Sequence, residues 1–591
     1  MHSPPHRRWA LPAALVLAVL CFLPALGAGF FGDDFIMLSV MEGSSPCMCG
    51  PDNVYHYSSG RPEEVSARIQ DGTFPWWTTP DLKVALWRPL TSATLRLDHA
   101  LFGRWAPGYH AHSLLWFLAL VAVAGVLYRR HLPAGLAATA VLVFAVDESH
   151  WLSTTWVCNR HILISAVFAF LGLLAHLRWR EQRWWPGLPL SLGFYLMGLA
   201  GGESGLQIFA FVLAYECVGA KDGRRQRLMG ALPALALAVA YLLAYKLSGF
   251  GAHGSGFFVD PLGETPRFLM RAQTFLPVMV AELVAGTEVF YGFIPSLSML
   301  AVPLSLGVVA VFGLLLWRAL RALPADEARA SRWWVLGGLL ALPPPIGSLI
   351  DPASTGRSLL FPSLASAVAV AVVFQYGLRL VRRQVAEPSW LRAAVALPLA
   401  LVALMNGVVE PLATPYAVMQ FGKETQDGER RFRELELAEG PGTEVVLLTA
   451  AGTSTGYAHM MRAFYMERPL RPWLNVSWMG LPQELRRTGP SSFEVHALDG
   501  ALLLHPTERF YRAWPRQLTA GQRLSTRSMR VRVLETNDYG PTRLEVTLDR
   551  PLDDASLRFL AWNGEGLQPV RMPPEGETLR LEGMAALTDP P

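Results

Sequence analysis

Two adjacent carboxylates, Asp33 and Asp34, follow directly on the first apolar stretch of the chain. They stand in the run Phe-Phe-Gly-Asp-Asp-Phe, where a membrane helix would leave the bilayer. Ionisable groups at such boundaries are costly and often functional. A carboxylate here can act as a general base for an attacking hydroxyl, and its neighbour can orient the acceptor or hold a metal. From composition alone, an acidic, solvated and inert helix end is the preferred interpretation.

Other polar side chains gather near the same predicted membrane boundary. They lie in residues 87–110, in residues 147–161, at Glu203 and at Arg357. Each alone fits a snorkelling anchor or a helix cap. Together they bring carboxylates and guanidinium groups to one membrane level, and planar guanidinium groups grip phosphate bidentately. A lipid phosphate that carries a sugar would arrive at that level.

The composition is that of a chain largely solvated by lipid. Hydrophobic residues make up 52% of the 591 residues and charged residues only 17%, whereas soluble domains carry about a quarter charged residues. The net charge of +4 is small, so we expect no nucleic-acid partner. The five cysteines are odd in number and irregularly spaced, which gives no disulfide framework.

Apolar runs long enough to cross a bilayer predict about eleven transmembrane helices. The predicted spans are residues 10–30, 110–128, 133–148, 160–178, 186–203, 204–220, 228–248, 296–317, 332–350, 358–380 and 391–412. The first is expected to be a retained anchor rather than a cleaved signal peptide.

The distribution of Lys and Arg orients these spans. With this count, the basic turns all fall on one side, so the N-terminus is predicted to be cytoplasmic and the C-terminus outside. Residues 268–292 are apolar but contain Arg271, Glu282 and Glu288. Counting them as a span would put Arg318 and Arg321 outside, so we interpret them as an interfacial or re-entrant helix on the outer side.

The predicted fold class is an α-helical polytopic membrane protein with a soluble, mixed α and β domain. Residues 1–412 form the membrane domain, with a long outer loop at 31–109, and residues 413–591 form the extracytoplasmic domain. A charged helix is predicted over 423–439. Strands are predicted over 443–448, 501–504, 530–534, 544–548 and 557–562.

The order of these motifs resembles the GT-C superfamily of polytopic glycosyltransferases, closest to the branch of protein O-mannosyltransferases and TMTC-type mannosyltransferases with their bacterial relatives. The likeness covers residues 10–380. The matching positions are Asp33-Asp34, Arg88-Pro89-Leu90, Phe102-Gly103, Pro107-Gly108-Tyr109-His110, His150, Trp156, Arg160, Glu203-Ser204, Arg357 and Phe361-Pro362.

The resemblance implies an inverting hexosyl transfer, on the outer face of the membrane, from a polyprenyl-phosphate sugar to a hydroxyl of a glycan, lipid or protein. The composition, rich in Ala, Leu, Arg and Pro and without a disulfide framework, favours a bacterial inner membrane. One of Asp33 and Asp34 would be the general base, with Asp34 favoured. Arg160 and Arg357 would neutralise the lipid phosphate. The resemblance implies no metal ion or other cofactor. The remaining predicted substrate-binding residues are Arg88, Tyr109, His110, Glu148, His150, Trp156 and Glu203.

The sequence departs from this family at several positions. Asp147 and Glu148 stand where relatives often have His-Pro, Leu152 replaces a usual Glu, and Gly202 replaces the usual Lys before Glu203. Two alternatives therefore stay open. One is a transporter that uses intramembrane charges, although the charges here cluster at the outer boundary. The other is a non-enzymatic envelope scaffold.

Overall fold

The computed structural model describes most of the chain. The described residues are 9–44, 49–349, 355–382, 389–437, 440, 442–450, 456–478, 481–513 and 516–581.

The chain folds into two compact units, each built from three segments. The helical unit contains residues 1–29, 87–249 and 261–423. The β-rich unit contains residues 30–86, 250–260 and 424–591. The predicted outer loop 31–109 is thus shared, because its last part belongs to the helical unit.

Helices dominate the first unit, and several shorter ones occur in the second. In chain order they are α1 (Ala10–Phe22), α2 (Asp33–Met41), α3 (Pro62–Gln70), α4 (Pro89–Phe102), α5 (Ala106–His131), α6 (Ala134–Val146), α7 (Trp151–Thr155), α8 (Arg160–Gln182), α9 (Gly187–Gly201), α10 (Ile208–Ala214), α11 (Arg224–Leu247), α12 (Thr265–Ala285), α13 (Thr287–Phe293), α14 (Ala301–Arg321), α15 (Ala325–Leu340), α16 (Pro343–Ile346), α17 (Leu360–Val381), α18 (Ser389–Leu404), α19 (Glu410–Glu434), α20 (Ala458–Tyr465) and α21 (Pro506–Phe510).

Within the described residues, eight helical stretches are long and apolar enough to cross a membrane. They are Ala10–Gly27, Ala106–His131, Val157–Gln182, Arg224–Leu247, Thr265–Ala285, Ser296–Arg321, Leu360–Val381 and Arg392–Glu434. Two shorter apolar helices, α6 and α9, accompany them. The predicted class, a polytopic α-helical membrane protein with a C-terminal domain of strands and helices, is confirmed.

Two predicted spans are not single long helices. Residues 204–220 contain a 3₁₀ turn, the seven-residue α10 and a π-helical turn at Tyr215–Gly219. Residues 332–350 are divided between α15 and the four-residue α16. The helix α15 begins earlier than predicted, because Asp326 and Glu327 suit the positive end of its dipole.

The observed helices α18 and α19 also differ from the two elements predicted for this part of the chain. Helices α18 and α19 are joined by a π-helical turn at Met405–Val409, so residues 392–434 form a continuous helical stretch. The predicted separation of 391–412 from a helix at 423–439 was therefore wrong. Hydropathy falls along this stretch, but the helical backbone does not stop where the hydropathy changes.

The segment formed by α12 and α13 contacts the connection between α16 and α17 at two points, one from each helix. In α12, Arg271 donates from Nη1 to the carbonyl of Leu349 at 2.9 Å. In α13, Glu288 accepts from the backbone N–H groups of Thr355 and Gly356, the latter at 2.6 Å. This arrangement favours the predicted surface position of this segment, although α12 is long and apolar enough to cross.

The β-rich unit contains three sheets. The strands are β1 (His56–Ser59), β2 (Lys83–Ala85), β3 (Gly251–His253), β4 (Glu444–Leu447), β5 (Leu474–Asn475), β6 (Gln483–Arg487), β7 (Ser492–Ala497), β8 (Arg523–Ser525), β9 (Met529–Thr536), β10 (Pro541–Leu548), β11 (Leu557–Trp562), β12 (Leu567–Val570) and β13 (Thr578–Leu581). A small sheet has the order β1-β2-β3, and an antiparallel sheet has the order β13-β6-β7-β10-β9-β8. The third sheet, β12-β11-β4-β5, pairs β4 in parallel with both β11 and β5.

The outer segments of the chain form part of the core of the β-rich unit. Trp76 and Trp77 are fully buried there. The indole N–H of Trp76 donates to the carbonyl of Val476 at 3.1 Å, and that of Trp77 donates to the carbonyl of Glu508 at 3.1 Å. The unit therefore depends on residues 30–86 for its interior. Cys49, in the same segment, is disulfide-bonded.

Candidate anion-binding site

A partly buried ion pair in the helical unit joins Arg88 to Glu203. Arg88 precedes Pro89, which occupies the first turn of α4, a position that suits the fixed backbone angle of proline. Its Nε lies 2.9 Å from Oε2 of Glu203, and the two side chains are 12% and 23% exposed. A half-buried ion pair of this kind is held more rigidly than one on an open surface.

Glu203 is also held through its other oxygen. Oε1 accepts the backbone N–H of Trp87 at 3.1 Å and the hydroxyl of Tyr245, on α11, at 3.0 Å. Both oxygens of this carboxylate are therefore occupied within the protein.

A histidine and a second arginine stand near Arg88. A Cβ atom added to Gly202 would lie 3.0 Å from Nδ1 of His161 and 3.6 Å from Nε of Arg88. The charges of Arg88 and Arg357 both act on the imidazole of His161. Arg357 is half-buried, and its backbone carbonyl accepts from Ser153 at 3.0 Å.

We call Arg88, His161 and Arg357 the cationic site. It gathers two guanidinium groups and an imidazole around the start of α8, with Glu203 as the carboxylate beside Arg88. Guanidinium groups present planar donor pairs that match phosphate oxygens. The arrangement can bind an oxyanion.

Arg160, predicted to bind phosphate, is instead enclosed by protein groups. It is fully buried and forms an ion pair with Asp98, which is also buried. Its Nε donates to Ser113 at 2.9 Å and its Nη2 to the carbonyl of Tyr109 at 2.6 Å. His112 extends the network, with Nδ1 at 2.5 Å from Asp98. These contacts favour a structural role, since removing one partner of a buried pair costs about 3–5 kcal/mol.

The Tyr109-His110 motif is likewise occupied in packing. The hydroxyl of Tyr109 donates to the carbonyl of Gly103 at 2.8 Å. Nε2 of the buried His110 lies 3.3 Å from the carbonyl of Gly29. A Cβ on Gly108 would lie 2.4 Å from the ring of Phe102, so the spacing of this motif follows from close packing of α4 on α5.

His150 and Trp156 lie in the connection between α6 and α8. His150 is fully buried, with Nε2 2.8 Å from the hydroxyl of Ser363 on α17. Trp156 is half-buried and terminates α7. The hydrogen-bond partner of His150 is therefore a residue of α17 and not one of the cationic site.

Glu148 belongs to a group of buried carboxyls that the sequence did not reveal. Burial raises the pKa of Glu148, and the nearby carboxyls of Glu282, Glu288 and Glu410 raise it further. One oxygen of Glu148 and one of Glu282 have no hydrogen-bond partner in the described part of the chain.

Asp33 and Asp34, in the β-rich unit, have different surroundings. Asp34 is only 2% exposed, and its Oδ2 accepts the backbone N–H of Phe31 at 3.0 Å. Asp33 is partly exposed. The turn before them needs Gly32, whose φ of +52° is in the left-handed region.

The two carboxylates lie at the start of α2, which packs on α20 through aromatic rings. The ring of Phe35 lies 5.5 Å from those of Phe464 and Tyr465. Burial raises the pKa of Tyr511, and the charge of Asp33 raises it further. The carboxylate of Asp33 therefore lies within electrostatic range of Tyr511 in the β-rich unit.

Sequence reasoning missed several residues of these sites. His161 directly follows Arg160 and could have been read with it, whereas Tyr245 fits the aromatic belt of a membrane boundary. Asp98 lies in an amphipathic helix with no signal that it would be buried. The carboxyls of Glu282 and Glu410 gave no signal because their partners are far away in the sequence.

No protein-family model matches the sequence, and no curated protein matches it. Among solved structures, the oligosaccharyltransferase of Archaeoglobus fulgidus, tethered with an acceptor peptide, is similar at 13% identity with a TM-score of 0.41. The oligosaccharyltransferase AglB from Archaeoglobus fulgidus, in complex with an inhibitory peptide and a dolichol-phosphate, is similar at 14% identity with a TM-score of 0.42. ArnT from Cupriavidus metallidurans bound to undecaprenyl phosphate is similar at 16% identity with a TM-score of 0.35.

The similar regions cover 80% of this chain and 64% of the archaeal enzyme, and 78% of this chain and 84% of ArnT.

Proposed function

We propose that this protein is a membrane glycosyltransferase of the GT-C type. It moves a sugar from a polyprenyl-phosphate donor to an acceptor hydroxyl on the outer face of the inner membrane. The observation that carries the proposal is the cationic site, in which Arg88, His161 and Arg357 gather at the start of α8.

The chemistry needs positive charge where the leaving group forms. The acceptor oxygen attacks C1 of the sugar, and the bond from C1 to the phosphate oxygen breaks with inversion. The polyprenyl phosphate leaves with increased negative charge. Arg88 and Arg357 stabilise that charge, and such preorganised groups are usually a large part of catalysis. The hydroxyl proton passes to a carboxylate of the pair at 33 and 34.

The structure changes which residues we assign to these roles. Arg88 replaces Arg160 as the partner of Arg357, because Arg160 is committed to Asp98. Asp33 replaces Asp34 as the proposed base, because Asp34 is buried and caps the turn at Phe31. Tyr109, His110 and His150 act in packing. The membrane domain 1–412, the extracytoplasmic domain 413–591 and the cytoplasmic N-terminus remain part of the proposal.

The test is release of sugar by the purified protein in lipid nanodiscs. A panel of radiolabelled polyprenyl-phosphate sugars is incubated with the wild type, Arg88→Gln, Arg357→Gln and the control Arg96→Ala, an exposed arginine on α4. The wild type and the control should release sugar. Each glutamine variant should lose about 10²-fold, as for removal of a charge-stabilising donor.

Folding of each variant is checked by its tryptophan fluorescence melting curve. If the wild type neither turns over any donor nor binds a polyprenyl phosphate, the proposed function is wrong. If both glutamine variants keep full activity, the cationic site is not where the phosphate leaves.

A further inference from the structure

Tyr245 is the part of α11 that reaches the cationic site. Most of this helix is not packed in the interior, since its buried residues are Gly230, Ala231, Ala234 and Tyr241. Near its C-terminal end, the hydroxyl of Tyr245 donates to Oε1 of Glu203 at 3.0 Å. A tyrosine at this place in a span would ordinarily serve as a membrane-boundary anchor. Here the hydroxyl of Tyr245 instead donates to the Glu203 carboxylate within the helical unit.

Three contacts together fix the plane of the Glu203 carboxylate. The Trp87 N–H and the Tyr245 hydroxyl bind one oxygen, and Arg88 Nε binds the other. The Trp87 bond ties the carboxylate to the residue next to Arg88 in the chain. The orientation of the Arg88 guanidinium thus follows from that of Glu203.

We propose that Glu203 and Tyr245 are positioning residues that hold the Arg88 guanidinium in line for the phosphate of the donor. This inference rests on the proposed function. Glu203 carries a negative charge beside Arg88, so it opposes the attraction of an anion. Its contribution is therefore orientation, and orientation affects turnover more than affinity.

Glu203→Gln separates these two effects. The amide oxygen can still accept from Trp87 and Tyr245, but the amide nitrogen then faces Arg88 Nε, donor against donor. Arg88 keeps its charge and loses its orientation. We expect binding of farnesyl phosphate to stay within about threefold of wild type or to tighten, and turnover to fall about tenfold or more, as for a lost hydrogen bond to a charged group.

Tyr245→Phe removes a single oxygen atom and leaves the ring in place. Turnover should fall about threefold to tenfold, with unchanged binding of farnesyl phosphate, because one hydrogen bond to Glu203 is lost. Tyr241→Phe is the matched control. Its hydroxyl, one turn earlier on α11, has no hydrogen-bond partner in the described part of the chain. This variant should behave like the wild type.

Binding is measured by calorimetry with farnesyl phosphate, and turnover by sugar release from the donor found active with the wild type. If Tyr245→Phe turns over like the wild type, the inference is wrong. It is also wrong if Glu203→Gln loses binding and turnover in the same proportion, because a merely structural residue would do that. If the wild type neither binds nor turns over, the proposed function fails first, and this inference with it.

Discussion

At the scale of single residues, Asp33 and Asp34 are adjacent in the chain but differ in burial and hydrogen bonding. Asp34 is buried and accepts the Phe31 N–H, whereas Asp33 is partly exposed. A general base must reach the proton it abstracts. The exposed carboxylate is suited to this role and the capping one is not.

We therefore expect Asp33→Asn to lower sugar transfer by about 10²-fold or more, the usual contribution of a general base. Asp34→Asn should keep transfer within about threefold of wild type, because its amide oxygen can still accept the Phe31 N–H. Both variants are assayed in nanodiscs with the same donor. A loss confined to Asp34→Asn would restore Asp34 as the base.

A second prediction at this scale concerns Glu148 and the pH dependence of the protein's thermal stability. Burial and neighbouring carboxyls raise its pKa in the folded state. A carboxyl with a raised folded pKa contributes stability at low pH and loses it as pH rises through that pKa. Glu148→Gln removes the ionisation, so it should raise the unfolding temperature at pH 8 and have little effect at pH 5. A lower unfolding temperature at pH 8 would mean that a counter-charge holds an ionised Glu148.

The membership of the candidate site was only partly predictable. Arg88, Glu203 and Arg357 were predicted from their motifs, and the structure pairs Arg88 with Glu203. The burial of Tyr109, His110 and Arg160 was not predictable, because a motif gives spacing but not burial. The partner that occupies Arg160 is Asp98, and nothing in its local sequence indicates this pairing.

At the scale of elements, one buried carboxyl organises part of the β-rich unit. Glu508 is the third residue of α21 and belongs to its capping box, in which the Glu508 side chain accepts the His505 N–H. It also accepts the Trp478 N–H at 2.7 Å and the Ser477 hydroxyl at 3.0 Å. Two distant segments are thus held by one side chain.

Burial raises the pKa of Glu508 to about 7. In the unfolded chain this group ionises near pH 4.3, so between about pH 4.3 and 7 the folded state binds more protons and becomes less stable as pH rises. The unfolding temperature of wild type minus that of Glu508→Gln should fall across this window and level off above it. Thermal unfolding is followed by tryptophan fluorescence. A flat difference would mean that Glu508 is already ionised when folded.

The comparison with Glu508→Gln also separates the pH effect of Glu508 from that of two histidines in the same unit. Burial lowers the pKa of His459 and of His505 to about 4. The two histidines make the folded state more stable as pH rises, which is opposite to the effect of Glu508. Their contribution to stability is lost as pH falls below about 6.5, where the unfolded imidazole is protonated. Both variants contain the histidines, so their effect cancels in the difference.

Strands were predictable where apolar and polar residues alternate strongly along the sequence. The predictions at 443–448, 530–534, 544–548 and 557–562 correspond to β4, β9, β10 and β11. The prediction at 501–504 was wrong, since this stretch forms turns and its Leu503 has a φ of +64°. The pair β6 and β7 was missed because charged residues alternate through it and mask the apolar face. The strands β1 to β3 are short and were hidden in a loop.

At the scale of the whole molecule, the position of α12 decides the topology. It is long and apolar enough to cross a membrane. Its contacts with Leu349, and those of Glu288 with residues 355 and 356, place it against one connection of the helical unit. The positive-inside pattern also excludes it from the count of spans. Both arguments predict a helix along the outer surface.

Sided labelling with a membrane-impermeant maleimide tests this orientation in a Cys217→Ser background, since Cys217 is the exposed free cysteine within the described residues. Ile294 is exposed just after α13. Ile294→Cys should label in intact cells, like the outer reference Arg61→Cys. The cytoplasmic reference Arg183→Cys should label only after permeabilisation. If Ile294→Cys follows Arg183→Cys, α12 crosses the membrane.

Because the β-rich unit is built from three separate segments of the chain, its parts are synthesised at different times. Trp76 and Trp77 leave the ribosome early, yet the chain that covers them, around Val476 and Glu508, is made last. At translation rates of 5–20 residues per second, the intervening roughly 400 residues take about 20 to 80 s. Throughout that interval the two indole N–H groups lack their native hydrogen-bond acceptors. We therefore expect the nascent chain to depend on a holding chaperone, and the yield of the protein should follow the supply of that chaperone.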